Sequence, residues 1–275
     1  MIEVDLNQAL RTAQKAALAA REVLLSHFGR LSKVQEKNLA GLVSEADLAS
    51  EKAISEILSK DFPAIKVLGE EDSFLRQDET IENDLWVVDP LDGTTNYVHG
   101  FHVFCISIGL QLKGELVLGV IDVPVLNKTY WAVKDGGAFV NGKPIRVRDN
   151  TVIRDSLLAT GFFPENPSLP EQIQIFSDLV YEARGIRRAG AAAYDLCLVA
   201  EGVFDAFWEP NLKPWDAAAG VVLVREAGGV AWTYDGRDYR LGDNTLMTGN
   251  ASLASAIGRR IQAIHRPNTR PVKNS

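Results

Sequence analysis

The chain has 275 residues, 46% hydrophobic and 24% charged, a globular composition with room for one large domain or two lobes around a cleft. With 36 acidic against 29 basic residues the formal charge is −7, which argues against general nucleic-acid binding. No apolar run reaches the roughly 18 residues of a bilayer span, and Met1-Ile2-Glu3-Val4-Asp5 lacks a basic n-region, so neither a membrane span nor a secretory signal is expected and a cytoplasmic location is.

Taken in order, Leu6, Leu10, Ala13, Ala17 and Leu24 recur at helical spacing and predict an amphipathic helix over 5–28, ended by Gly29. Residues 29–43 mix glycines and charges and read as a mobile loop with an exposed strand pair. Ser44 suits an N-cap and Asp47 the first turn of a helix running to about Lys60, with Ile54 and Leu58 inward. A short strand over 65–68 runs into Gly69-Glu70-Glu71-Asp72, and a second apolar run stops at Asp89. The β-branched and aromatic stretches 103–112, 116–123 and 129–133 predict strands, with turns at Lys113-Gly114, Asp135-Gly136-Gly137 and Asn141-Gly142. Cys105 and Cys197 sit among apolar neighbours and read as buried free thiols.

Beyond residue 150 the pattern alternates. Strands are predicted over 157–160, 186–188 and 204–208, and helices over 170–183, 191–200 and 215–227, the last stopped by Gly228-Gly229. From Thr245 onward no acidic residue occurs, and Arg259, Arg260, Arg266, Arg270 and Lys273 give a basic stretch that reads as a frayed, solvated terminus. The whole is α+β: a lobe over 1–150, an α/β lobe over 151–265, and a flexible basic tail over 266–275.

The sharpest chemical signal is Trp86-Val87-Val88-Asp89-Pro90-Leu91-Asp92-Gly93-Thr94-Thr95-Asn96. Asp89 and Asp92 repel each other unless a cation lies between them, and oxygen-only ligands suit a hard divalent ion such as magnesium. Gly93-Thr94-Thr95, if it opens a helix, offers free N–H groups to an anion. An Asp-x-x-Asp-Gly pair at a strand end is also an ordinary turn. Two other segments shift that balance. Glu70-Glu71-Asp72 is costly without a counter-charge. Lys213-Pro214-Trp215-Asp216-Ala217-Ala218-Ala219-Gly220 presents another acid at the start of an apolar helix, as a dipole-stabilised first-turn residue or as a ligand.

Gly69-Glu70-Glu71, Asp89 to Asn96, and Trp215 to Gly220 resemble, in order and spacing, the three signatures of the inositol monophosphatase family. The resemblance runs from the first helix to about residue 255. Phe207-Trp208-Glu209 and Lys213-Pro214-Trp215-Asp216 look like its bacterial type. It implies a layered α-β-α-β-α sugar-phosphatase fold in one domain over 1–275, and a magnesium-dependent phosphatase acting on inositol 1-phosphate or a similar sugar or polyol monophosphate.

The same resemblance implies two or three magnesium ions. Glu70, Asp89 and the Leu91 carbonyl would hold the first, Asp89, Asp92 and Asp216 the second, and Glu70 would help with a third. Thr94 would face the attacking water, backed by Asp47, with Glu70 completing the catalytic group. The N–H groups of Gly93 and Thr94 would receive the phosphate. Gly190, Ala191, Ala192, Glu209 and Asp216 would receive the polyol. Lys37 would either screen the metal cluster or stand in solvent, and if the substrate is a bisphosphate, Arg187 and Arg188, just ahead of Gly190, would supply the added cationic contact. His102 reads as structural, and Asp72 stands where the family often has a small hydroxyl residue.

Relatives of the same fold cleave fructose 1,6-bisphosphate, histidinol phosphate or the 3′-phosphate of a nucleotide. A fructose-1,6-bisphosphatase, or an enzyme with both activities, is therefore the chief alternative. Some bacterial relatives act in RNA metabolism through protein partners, so a regulatory role with transcription-machinery contacts through the basic tail is a reading of another class. A homodimer and lithium inhibition are family expectations.

Overall fold

The computed structural model describes residues 4–31, 33–38, 41–73, 84–162 and 167–265. Asp5 caps helix α1 (Leu6–His27) by accepting the N–H groups of Asn7 and Gln8. An antiparallel pair follows, β1 (Val34–Asn38) and β2 (Gly41–Ser44). Ser44 then opens α2 (Glu45–Asp61) with a reciprocal cap, its hydroxyl accepting from Ala46 N–H while the Asp47 carboxylate takes the Ser44 N–H. The first half continues through β3 (Lys66–Gly69), the single turn α3 (Glu70–Ser73), β4 (Leu85–Asp92), the short α4 (Thr94–Val98), β5 (Cys105–Leu112), β6 (Glu115–Val123), β7 (Lys128–Val133), β8 (Ala138–Val140) and β9 (Lys143–Ile145). Strands β3 to β9 form one sheet in chain order, with β3 parallel to β4 and the later pairs antiparallel.

The second half runs β10 (Leu157–Thr160), α5 (Leu169–Val180), β11 (Gly185–Arg187), α6 (Ala192–Ala200), β12 (Ala206–Pro210), α7 (Pro214–Glu226), β13 (Val230–Trp232), β14 (Thr245–Gly249) and α8 (Ala251–Ile264). Its sheet has the order β11-β10-β12-β14-β13, with β11, β10 and β12 parallel.

Strand alternation sorts the side chains into layers. On β4, Trp86 and Val88 point to α1 and α2, whose Ala13, Ala17, Leu24, Ile54 and Leu58 fill that side. Leu85 and Val87 point the other way, to the core built by α6 and α7. The five-stranded sheet covers those helices from behind with Ala159, Phe207 and Leu246. Its outer face carries Leu158, Ala206 and Trp208 against Ile175 and Leu179 of α5 and Leu253, Ile257 and Ile261 of α8. The result is the α-β-α-β-α layering expected from the resemblance. Helices α6 and α7 lie between the two sheets and tie both halves to one core.

The approach of α7 to the first sheet needs glycine. A Cβ on Gly119 would lie 2.4 Å from the Ala219 carbonyl oxygen, and one on Gly109 would lie 2.7 Å from the Ala218 Cβ. These two glycines face each other across β5 and β6. The helix therefore rests on a bare backbone floor, which sets the height at which its first turn is presented.

One expectation is corrected. The stretch from Thr245 is no frayed terminus through residue 264. Strand β14 pairs with both β12 and β13, and α8 buries Leu253, Ala254, Ile257, Gly258 and Ile261. The arginines lie on the opposite face, where Arg260 pairs with Glu182 at 2.6 Å. Residues 266–275 lie outside the described residues. Cys105 and Cys197 are buried free thiols, and the His102 ring lies 5.3 Å from that of Phe28. Among the described residues no helix is long and apolar enough to cross a membrane.

Candidate active site

The site begins with a defect in a strand. Residues three apart on a regular strand point to opposite faces. Asp89 pairs with Ser107 and Asp92 with Cys105, so three steps on β4 match two on β5. The extra residue is a β-bulge at Pro90-Leu91, and it brings both aspartates to one face. Pro90 donates no N–H, and its carbonyl accepts from Ser50 Oγ at 2.9 Å. Leu91 N–H donates to Asp89 Oδ1 at 3.0 Å, while the Leu91 carbonyl lies 3.0 Å from Thr94 Oγ1. Gly93 follows at φ 90°, in the left-handed region, and turns the chain into α4.

Helix α2 supports this turn with a polar stripe on its buried face. Asp47, Ser50 and Glu51 stand at positions i, i+3 and i+4 and are all buried. Asp47 Oδ1 accepts from Thr94 Oγ1 at 3.0 Å, and its Oδ2 takes both the N–H and the hydroxyl of Ser44. Glu51 Oε2 accepts the Glu71 N–H at 2.9 Å, which fixes the turn that carries Glu70.

From the second half, α7 presents Asp216 in its first turn, where Oδ2 accepts the Lys213 N–H at 2.8 Å. Ser107 Oγ donates to the Trp215 carbonyl at 3.1 Å and pins that turn to β5. The Ala193 N–H of α6 donates to Asp92 Oδ2 at 2.7 Å. Glu209 comes from the end of β12 and is 8% exposed. It is packed so tightly on Gly161 that a Cβ there would lie 2.0 Å from Glu209 Oε2.

These acids are mutually repulsive. Burial raises Asp89 well above the usual carboxylate range, and Glu70, Asp92 and Asp216 add to the rise. Burial lifts Asp92 to about 6 against the opposing hydrogen bond from Ala193. Asp216 is raised by desolvation first, then by Asp92 and Glu70. Glu209 is raised by burial, then by Asp216 and Asp195. Asp47 is raised by burial against its Ser44 and Thr94 hydrogen bonds. Buried acids that push one another's pKa upward are stabilised in their charged forms by a positive charge placed among them. Among the described residues no group of three or more acid, imidazole or thiol side chains stands close enough together to hold a metal ion. In each of Asp89, Asp92 and Asp216 a backbone N–H orients one oxygen. Carboxylates so oriented, beside a peptide carbonyl, offer oxygen donors of the type that hard divalent cations take.

Residues 5–266 match the profile of the Inositol monophosphatase family. The chain belongs to the inositol monophosphatase family. It is 40% identical over 256 residues to a fructose-1,6-bisphosphatase/inositol-1-monophosphatase of Aquifex aeolicus, covering 92% of this chain and 95% of that one. It is 39% identical over 258 residues to the Nus factor SuhB of Pseudomonas aeruginosa, again covering 92% and 95%. Among solved structures, the extragenic suppressor protein suhB from Bartonella henselae superposes with a TM-score of 0.86 at 36% identity, covering 92% of this chain and 98% of that one. With the family comes the activity class, that of a phosphatase.

The fold gathers Asp47, Glu70, Asp89, Leu91, Asp92, Gly93, Thr94 and Asp216 around one centre, through the contacts above. Gly190, Ala191 and Ala192 adjoin it, since a Cβ on Gly93 would lie 3.2 Å from Ala191 Cβ and 3.3 Å from the Gly190 carbonyl oxygen. The two arginines differ. Arg187 donates back to the Ile186 carbonyl at 3.3 Å, along its own strand. Arg188 donates to the Phe162 carbonyl at 2.7 Å and favours the charged forms of Glu209 and Asp195. Lys37 lies on β1, and its side chain is outside the described residues.

Sequence reasoning passed over Ser50 and Glu51, although a polar stripe at helical spacing on an otherwise apolar face was their signal. It passed over Asp195 as well, which is 2% exposed with Oδ1 lacking a hydrogen-bond partner.

Proposed function

We propose that this phosphatase hydrolyses a polyol monophosphate, inositol 1-phosphate foremost, with two or three magnesium ions held by Glu70, Asp89, the Leu91 carbonyl, Asp92 and Asp216. The observation that carries this reading is the Pro90-Leu91 bulge, which turns Asp89 and Asp92 to one side of β4, within electrostatic reach of Glu70 and Asp216. Bound divalent ions supply charge to the phosphoryl oxygens and lower the pKa of water.

The chain's own groups do the positioning. The Thr94 hydroxyl accepts a hydrogen bond from the attacking water while donating its proton to Asp47, and Asp47 is kept in place by the Ser44 cap. The N–H groups of Gly93 and Thr94 receive phosphate oxygens at the opening of α4. Glu209 faces the polyol, where a carboxyl group pairs with adjacent hydroxyls. The Gly190-Ala191-Ala192 backbone supplies the rest of that surface.

A second reading is a fructose-1,6-bisphosphatase, alone or together with the first activity. It is favoured by Arg188, an exposed guanidinium fixed beside the Glu209 end of the site, and by the double name of the Aquifex relative. The Nus factor name of the Pseudomonas relative motivates a contact with the transcription machinery as a separate role. A cytoplasmic homodimer completes the proposal, by analogy with the family.

The test is phosphate release with magnesium, comparing inositol 1-phosphate with fructose 1,6-bisphosphate at matched concentration. Preference for the first supports the polyol reading. Preference for the second transfers the assignment to Arg188, and release from neither refutes both. Lithium should inhibit, because it fills a magnesium position with half the charge; turnover indifferent to lithium contradicts the two-ion arrangement.

A further inference from the structure

Asn96 follows the Asp89–Thr95 turn and has no part in the chemistry described so far. Its side-chain nitrogen donates to three backbone carbonyls: Val103 at 2.7 Å, Ala189 at 2.9 Å and Gly190 at 3.3 Å. Three carbonyls around one end of an amide require the NH2 group there, so the orientation of the side chain is settled by its partners. Val103 leads into β5 of the first sheet, whereas Ala189 and Gly190 lie between β11 and α6. One side chain thus spans both halves of the fold, 93 and 94 residues apart in sequence.

What it holds is the junction of two subsites. Gly190 is left-handed at φ 87°, and a Cβ there would lie 3.2 Å from Asn96 Nδ2. A Cβ on Gly93 would lie 2.9 Å from the Val103 carbonyl oxygen. On the far side, the Ala193 N–H holds Asp92. The phosphate turn and the 190–192 segment are therefore in direct backbone contact, and Asn96 supplies hydrogen bonds across that contact.

We infer that Asn96 is a positioning residue that locks the 189–192 segment against the phosphate turn and so sets the register of the substrate's alcohol over the reacting phosphate. This rests on the polyol reading above for its kinetic consequence, but not for its structural one. Loss of the lock displaces the polyol surface and leaves the Asp47–Thr94 pair in place. The effect therefore depends on whether the substrate has a polyol to misplace. Asn96→Asp keeps the shape but sets a carboxylate against three carbonyl oxygens, so it should act more strongly than Asn96→Ala. Asn96→Ser keeps one shorter donor and should act less.

The experiment compares wild type and these variants, loaded with magnesium, on inositol 1-phosphate and on p-nitrophenyl phosphate, which has no polyol. For Asn96→Ala, kcat/KM for inositol 1-phosphate should fall about tenfold or more, while that for p-nitrophenyl phosphate stays within about twofold. Hydrogen exchange, read in parallel, should quicken at the amides of residues 190–192 and remain unchanged in α2, in β4 and at the Ala193 amide that holds Asp92. Equal losses on both substrates, or no change in exchange at 190–192, overturns the inference. If the wild type cleaves neither substrate, the functional reading has failed, and the exchange data alone decide whether Asn96 is the lock. Should Asn96→Asp not fold, Asn96→Ser carries the same comparison.

Discussion

Substituting Gly119 by alanine tests the packing that presents Asp216. The added Cβ would lie 2.4 Å from the Ala219 carbonyl oxygen, 2.8 Å from its Cα and 2.9 Å from its carbonyl carbon. Ordinary contact begins near 3.4 Å, so α7 must rise by about 1 Å, and no side-chain rotation relieves a clash with backbone. Overpacking of this kind costs about 1–3 kcal/mol. In a domain of this size each kcal/mol moves the midpoint by about 2–4 °C, so the predicted fall in Tm is about 2–12 °C. Thermal unfolding of chelator-treated protein is the assay, with Gly114→Ala as the control. Gly114 is left-handed at φ 75° with open space around its Cβ position, so alanine there costs only backbone strain of about 1 kcal/mol. Because Asp216 sits in the first turn of α7, Gly119→Ala should also weaken magnesium binding, whereas Gly114→Ala should not. A Gly119→Ala midpoint within about 1 °C of wild type would show that the helix does not rest on this floor.

Other perturbations separate the roles within the site. Asp92→Asn should fold, since the Ala193 N–H still finds an oxygen, but should lose on the order of a hundredfold in turnover; near-normal activity would remove Asp92 from the ligand set. Thr94→Ser should retain most activity and Thr94→Ala lose about a hundredfold or more, because the hydroxyl between water and Asp47 is the group that matters. Equal rates for the two variants would count against that role. The pH dependence of metal-free stability follows from Asp92, raised from 3.8 to about 6. Below the unfolded value both states are protonated and nothing is lost. As pH rises through that window the unfolded chain releases its proton first, so stability should fall. Magnesium should then raise Tm more at neutral pH than near pH 5, because it binds the deprotonated acids. A stabilisation independent of pH would refute this.

Much of the site was legible because its chemistry lies in short runs of sequence. Asp89 to Asn96 fixed a strand, a turn and a helix start together, and Ser44 with Asp47 gave a cap that the structure confirms as reciprocal. The bulge was not legible, since two acids three apart look as though they face opposite ways until the pairing with Ser107 and Cys105 is known. Asn96 lies within that run, yet two of its three partners, Ala189 and Gly190, are 93 and 94 residues away. Helix α8 was missed because Arg259 and Arg260 drew attention to charge, while Leu253, Ile257 and Ile261 carried the helical period. Strand bounds shifted as well: a strand is predicted over 204–208, whereas β12 runs from Ala206 to Pro210, so Glu209 lies within the strand and is 8% exposed.

The central claim is that the Asp89, Asp92 and Asp216 cluster catalyses phosphate release only with a divalent cation. The most direct measurement titrates magnesium into chelator-treated protein and follows phosphate from inositol 1-phosphate. No release without the ion, a saturable rise with it, and loss of that rise in Asp216→Asn are the predicted results. Release at an equal rate from the metal-free protein, or none with saturating magnesium while the thermal transition stays intact, would contradict the account.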